Sequence, residues 1–127
     1  MIAVDTSAIV AVLQQEEEAE DLISIIEADD QPLMSAATFA ELHAVMKHKG
    51  GDAAQEIADR FIEIAGIQIV SLTPQQAEIA CAAYREYPVL NLGDSYAYAL
   101  AKDKEIPLSY KGNDFSRTDI DTAGTKL

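Results

Sequence analysis

Among the 22 acidic residues of this chain, four stand where a carboxylate could do chemistry. Asp5 ends the apolar run Ile2-Ala3-Val4, and Asp94 opens a helical stretch over 92–104. Glu41 lies early in a helical stretch over 35–49, and Asp114 follows Lys111-Gly112-Asn113. Held in one crevice, such like charges raise one another's pKa and are costly to keep ionised without a cation. A hard divalent ion, Mg²⁺ or Mn²⁺, relieves that repulsion because it prefers carboxylate and water oxygens, and no His or Cys cluster points to zinc instead. The reaction that uses such a site is phosphoryl transfer: one ion readies a water for in-line attack and a second, ~4 Å away, stabilises the leaving oxygen. Thr6, Ser7 and Ser95 are hydroxyls near enough in sequence to steady ligands or waters.

Each acid also has a plainer role. Asp5 suits the N-cap of the helix that follows it. Glu41 takes the reciprocal position in a capping box begun by Thr38. Asp94 complements a helix N-terminus, and Asp114 fits ordinary turn chemistry. Taken singly, each plain role is at least as good an explanation. The weight shifts only if the fold gathers the four at one place.

The elements that must do so follow from the hydrophobic pattern. A strand over 2–4 leads through a tight turn into a helix over 8–13, and Leu22, Ile25 and Ile26 mark a second helix over 19–28. Glu16-Glu17-Glu18 reads as the solvated start of that helix. Leu33-Met34 is a short buried strand, and the helix over 35–49 turns Phe39, Leu42 and Met46 inward until Gly50-Gly51 ends it. Asp52 then caps a further helix carrying Ile57, Phe61 and Ile64, which Gly66 stops. A strand over 67–72 precedes Thr73-Pro74-Gln75-Gln76, a strong helix start with a hydroxyl cap and proline in the first helical position. Pro88 prevents that helix from continuing. After the helix over 92–104, where Leu92, Tyr96 and Leu100 share helical spacing, comes a strand over 106–110, with Ile120 marking a last edge strand.

Strands alternating with helices imply an α/β domain with a mainly parallel sheet covered on both faces. In such sheets the functional crevice lies beyond the carboxyl ends of the strands, which gives the acids a meeting place. At 127 residues the chain forms a single domain, 1–127, with no repeat or low-complexity segment. The start lacks the pattern of a secretory signal and no apolar run reaches the ~18 residues of a membrane span, so the expectation is a cytoplasmic protein with no membrane partner. Cys81, the sole cysteine, excludes an intramolecular disulfide and is expected as a core thiol beside Ala77, Ala80 and Tyr84. A net charge of -13 is awkward for a nucleic-acid binder unless cations neutralise part of it and a basic protein covers another part.

The stretches IAVDTSAIVAVL, SAATFAELHAVM, LNLGDSYAYALAK and YKGNDFSRTDI resemble, in order and over 2–120, the PIN-domain ribonucleases of VapC-type toxins. The resemblance implies a PIN-like three-layer domain, a twisted parallel sheet of four or five strands flanked by helices. It implies Mg²⁺- or Mn²⁺-dependent endoribonuclease activity, an antitoxin partner encoded alongside, and a homodimer. By position it gives Asp5, Glu41, Asp94 and Asp114 as the catalytic acids, with Asp5, Asp94 and Asp114 as metal ligands and Thr6 and Ser7 in support. Two departures stand out: Tyr87-Pro88-Val89 occupies the place of a longer, often basic loop, and His43 follows the acid-bearing turn where a small or apolar residue is common. Candidates for contact with RNA are Lys47, Lys49, Lys111 and Arg117, with Tyr96 and Tyr98 as stacking rings and His43 and His48 nearby. Other classes remain open from the residues alone: a receiver-type phospho-acceptor domain, disfavoured by the single acid after the first strand, and a PIN-fold binding module without catalysis.

Overall fold

The computed structural model describes residues 1–124. The β-branched and aliphatic runs form β1 (Ile2–Val4), β2 (Pro32–Ser35), β3 (Gln68–Val70) and β4 (Leu108–Ser109), paired in the order β3-β2-β1-β4. All three pairings are parallel, with Ala3 opposite both Leu33 and Leu108. Because successive strand residues point to opposite faces, Ile2, Val4 and Met34 join a core with α1 (Thr6–Leu13), α2 (Ala19–Ala28) and α3 (Ala36–Ala65). Ala3, Leu33 and Leu108 join a second core with α4 (Pro74–Glu86) and α5 (Leu92–Lys104). Each large aliphatic side chain so buried contributes roughly 1.5–3 kcal/mol. The result is the three-layer α/β domain expected, with a four-stranded sheet.

The break expected at Gly50-Gly51 is a kink inside α3, where Gly51 takes φ 71 and ψ -155. Side chains tie the two arms together: Lys47 pairs with Asp52, which spends its carboxylate there, and His43 Nε2 lies 2.6 Å from Asp59 Oδ1. Beyond the kink the helix turns Ala58 and Ile62 inward, leaving Ile57 and Ile64 exposed, so the stripe expected at Ile57, Phe61 and Ile64 is out of phase. Cys81 is likewise exposed, a correction to its expected burial. The inward line of α4 is Gln76, Ala80 and Ala83, and one residue along a helix rotates a side chain by about 100°. On α5, Leu92 is exposed while Ala97, Tyr98, Leu100 and Ala101 are buried, because this helix is wedged between α4 and the sheet. The chain at Ile120 forms no strand; only a single bridge, Leu108 to Thr122, follows it.

Candidate active site

The carboxyl ends of β1 and β4 lie side by side, joined by Asp5 N–H donating to the Ser109 carbonyl at 3.0 Å. Asp5 therefore emerges at the sheet edge as the N-cap of α1 and is 2% exposed. Its two oxygens have different fates. Oδ2 accepts from Ser7 N–H at 3.0 Å and from the Ser7 hydroxyl at 2.7 Å. Oδ1 is buried with no hydrogen-bond partner. The plain reading of Asp5 as a cap is thus correct and leaves one anionic oxygen unanswered, an expensive arrangement without a cation.

Glu41 is not part of a capping box. Helix α3 starts where the sequence placed it, with Ser35 as N-cap accepting from Ala37 N–H, so the box read at Thr38 lies inside the helix and Glu41 falls in the second turn. There it accepts from the Thr6 hydroxyl through Oε1 at 2.7 Å. Its Oε2 lies directly over Gly93: a Cβ at that glycine would stand 1.5 Å from it. Glycine at position 93 is what lets α3 and the first turn of α5 bring two acids together. One residue on, Asp94 is 8% exposed and completes a capping box with Asn91, giving 2.7 Å and 3.1 Å contacts. Asp114 stands exposed on the turn after β4.

All four acids line one cavity of about 370 Å³, together with Thr6, Ser7, Asn91, Glu16 and Lys111. Burial pushes the Asp5 carboxyl up to about 7; the Ser7 hydrogen bonds oppose this, and the charges of Asp94 and Glu41 add to it. Burial likewise raises Asp94 to about 6, against the Asn91 amide, with Asp114 and Glu41 adding repulsion. Each of the four therefore feels at least one other. The carboxylates surround the cavity without closing into a finished cage: among the described residues no three His, Cys, Asp or Glu side chains already converge as a metal centre. The donor set nonetheless suits a hard divalent cation, through oxygen chemistry, mutual repulsion and the unpartnered Asp5 Oδ1.

Of the cations considered for RNA contact, Lys111 lines the cavity, whereas Lys47, Lys49 and Arg117 do not. His43, His48, Tyr96 and Tyr98 are also elsewhere; the His43 ring packs 4.7 Å from that of Phe39. Ser95 is fully buried, its hydroxyl donating to the Leu92 carbonyl. The sequence reading passed over Asn91 and Glu16. The spacing Asn91 to Asp94 is a legible capping signal, but nothing local distinguishes Glu16 from Glu17 and Glu18.

A PIN domain family model matches residues 2–121. The chain belongs to the PIN-domain family. Ribonuclease VapC42 of Mycobacterium tuberculosis is 40% identical over 129 residues, covering 96% of this chain and 98% of its own. Ribonuclease VapC30 of the same organism is 39% identical over 127 residues, covering 95% and 97%. Among solved structures, the sarcin-ricin loop cleaving toxin VapC20 of Mycobacterium tuberculosis superposes with a TM-score of 0.77 at 16% identity, over 94% of this chain and 96% of that one. A toxin–antitoxin complex from Klebsiella pneumoniae gives a TM-score of 0.75 at 20% identity over 100% of both chains. These structural likenesses establish the PIN fold. Among the described residues no helix is long and apolar enough to cross a membrane.

Proposed function

We propose that this PIN domain is an endoribonuclease, the toxin of a toxin–antitoxin pair, which hydrolyses RNA phosphodiester bonds at the pocket of Asp5, Glu41, Asp94 and Asp114 with Mg²⁺ or Mn²⁺. The single observation that carries this reading is the gathering of four acids around one cavity, with Asp5 Oδ1 buried and unpartnered. Full-length similarity to chains named ribonucleases adds the substrate. A divalent cation held there neutralises charge on a phosphate and makes water a better nucleophile at neutral pH.

The chain's own residues prepare for that chemistry. Ser7 fixes Asp5 through Oδ2, so that Oδ1 is the oxygen left without a partner in a residue that lines the cavity. Asn91 orients Asp94 in the same way through the backbone. Thr6 holds Glu41 by one oxygen, leaving the other free to accept a proton from water. Asp5, Asp94 and Asp114 are the ligands of this reading, with Glu41 as the proton acceptor.

An antitoxin partner fits both the net charge of -13, which favours a basic protein, and the complex in which the Klebsiella pneumoniae relative was solved. Exposed Ile57, Ile64 and Tyr84 offer apolar surface for a homodimer or that partner. A cytoplasmic location agrees with an RNA substrate. The test is cleavage of RNA by the purified chain, dependent on Mg²⁺ or Mn²⁺ and stopped by EDTA. Equal cleavage by wild type and Asp94→Asn would remove the assignment; metal binding without cleavage would favour a binding module.

A further inference from the structure

Lys111 is the only cationic side chain lining the acid cavity among the described residues. Its backbone is pinned to the site: Lys111 N–H donates to Ser7 Oγ at 3.0 Å, and that hydroxyl donates to Asp5 Oδ2 at 2.7 Å. Its ammonium, however, does not answer the four acids. It pairs instead with Glu16, with Glu18 Oε2 at 3.6 Å. Both partners belong to the connection between α1 and α2, and Glu16 itself lines the cavity. The pair is neither buried nor free, with side chains 33% and 31% exposed.

A polyanion entering a cavity lined by carboxylates needs positive charge beyond what a bound ion supplies at the scissile group. Lysine carries a point charge on a flexible stem, so one ammonium can exchange one anion for another within reach. An ion pair as exposed as Lys111–Glu16 is weak enough to be displaced by phosphate. We propose that Lys111 binds an RNA phosphate beside the cleaved one, and that Glu16 competes with that phosphate for the same ammonium. This rests on the ribonuclease reading above. The competing explanation is a structural strap, in which the pair merely ties residues 14–18 to the turn after β4.

The two explanations give opposite signs for Glu16→Gln. Competition requires the variant to bind RNA better, whereas a strap requires it to behave like Lys111→Met. The experiment is steady-state cleavage of a short single-stranded RNA by wild type, Glu16→Gln, Lys111→Met and Lys111→Arg across a KCl series, with melting temperatures as a folding control. Lys111→Met is expected to raise KM about tenfold, the loss of a charge-assisted contact, with a far smaller change in kcat. It should also flatten the slope of log(kcat/KM) against log[KCl] by about 0.7, one phosphate contact on a single strand. Lys111→Arg should restore most of the affinity, and Glu16→Gln should lower KM severalfold. Movement of Glu16→Gln and Lys111→Met in the same direction, or an unchanged salt slope in Lys111→Met, would overturn the proposal while leaving the nuclease intact. Failure of the wild-type chain to cleave with added metal would overturn the nuclease reading and this proposal with it.

Discussion

Two acid-lined cavities lie toward opposite ends of α5, and the fold treats their carboxylates in opposite ways. The larger, about 700 Å³, is bordered by Asp103, Asp119 and Asp121 with Lys102 and Tyr98. There Asp119 pairs with Lys102 and accepts from the Tyr98 hydroxyl at 2.6 Å, and those contacts hold its carboxyl below the usual carboxylate range. Asp103 accepts from the Gln76 amide at 3.0 Å. The smaller cavity gathers Asp5, Glu41, Asp94 and Asp114, and there burial and mutual repulsion raise Asp5 and Asp94 instead. On the proposed function, cavity size therefore points to the other end of the helix from the acids that carry it. What separates the two ends is that Asp119 is answered by a cation and a hydroxyl, whereas Asp5 and Asp94 are buried beside other acids with no cation paired to them.

The contrast breaks first at Asp5. Asp5→Asn retains a good helix cap and removes the unanswered charge, so RNA cleavage should fall by about 10³-fold in single-turnover assays. The metal-free melting temperature at pH 7.5 should nevertheless rise by a few degrees. Activity and stability moving in opposite directions is the signature of a charge held at a cost; a parallel loss would make Asp5 a structural residue. Gly93→Ala tests how the acids were gathered. A Cβ 1.5 Å from Glu41 Oε2 forces that carboxylate away, and a displacement of this size should cost about 10²-fold in kcat with folding retained.

Acidity gives the next effect. The folded pKa values of Asp5, about 7, and Asp94, about 6, lie above the ordinary 3.8, so the folded state holds these protons more tightly than the unfolded chain. The stability this linkage contributes is complete below pH 3.8 and is lost as pH rises through about 6 and then 7. The decline, on the order of a few kcal/mol, is measurable by denaturant titration of the metal-free protein. Adding Mn²⁺ should raise the melting temperature clearly at pH 7.5 and little at pH 5, where protons compete for the same oxygens. The smallest effect belongs to the paired end: Asp119→Asn should lower the melting temperature by about a degree, as for an exposed ion pair, and leave cleavage intact. Its linkage has the other sign, since a lowered carboxyl pKa contributes stability above the ordinary carboxylate range that is lost as pH falls.

Much of this organisation was legible before the structure. Asp5 after β1, Thr73-Pro74 at the start of α4 and the acid in the first turn of α5 are all local signals, and local signals survive folding. The ordered motifs carried the PIN resemblance, and the family match agrees with it. What the sequence hid is tertiary phase and pairing. Cys81 and Ile57 fall one residue from buried Ala80 and Ala58, and Ile64 two residues from buried Ile62, because the kink at Gly51 and the packing of small alanines against each core set which side turns inward. Glu41 looked like a capping residue because Thr38-Phe39-Ala40-Glu41 has the capping-box pattern, but that pattern lies inside a helix already capped by Ser35. The Lys111–Glu16 pair joins residues 95 positions apart, beyond the reach of any local pattern.

The most direct test of the acid pocket is calorimetric titration of the metal-free chain with Mn²⁺ at pH 6.5 in two buffers of different ionisation heat, repeated at pH 8.5. With Asp5 near 7 and Asp94 near 6, binding should expel about one proton per event at pH 6.5 and almost none at pH 8.5, and Asp5→Asn should lose most of the proton release. Mn²⁺ binding with no proton release at pH 6.5, or with equal release in Asp5→Asn, would contradict an acid pocket that awaits its cation.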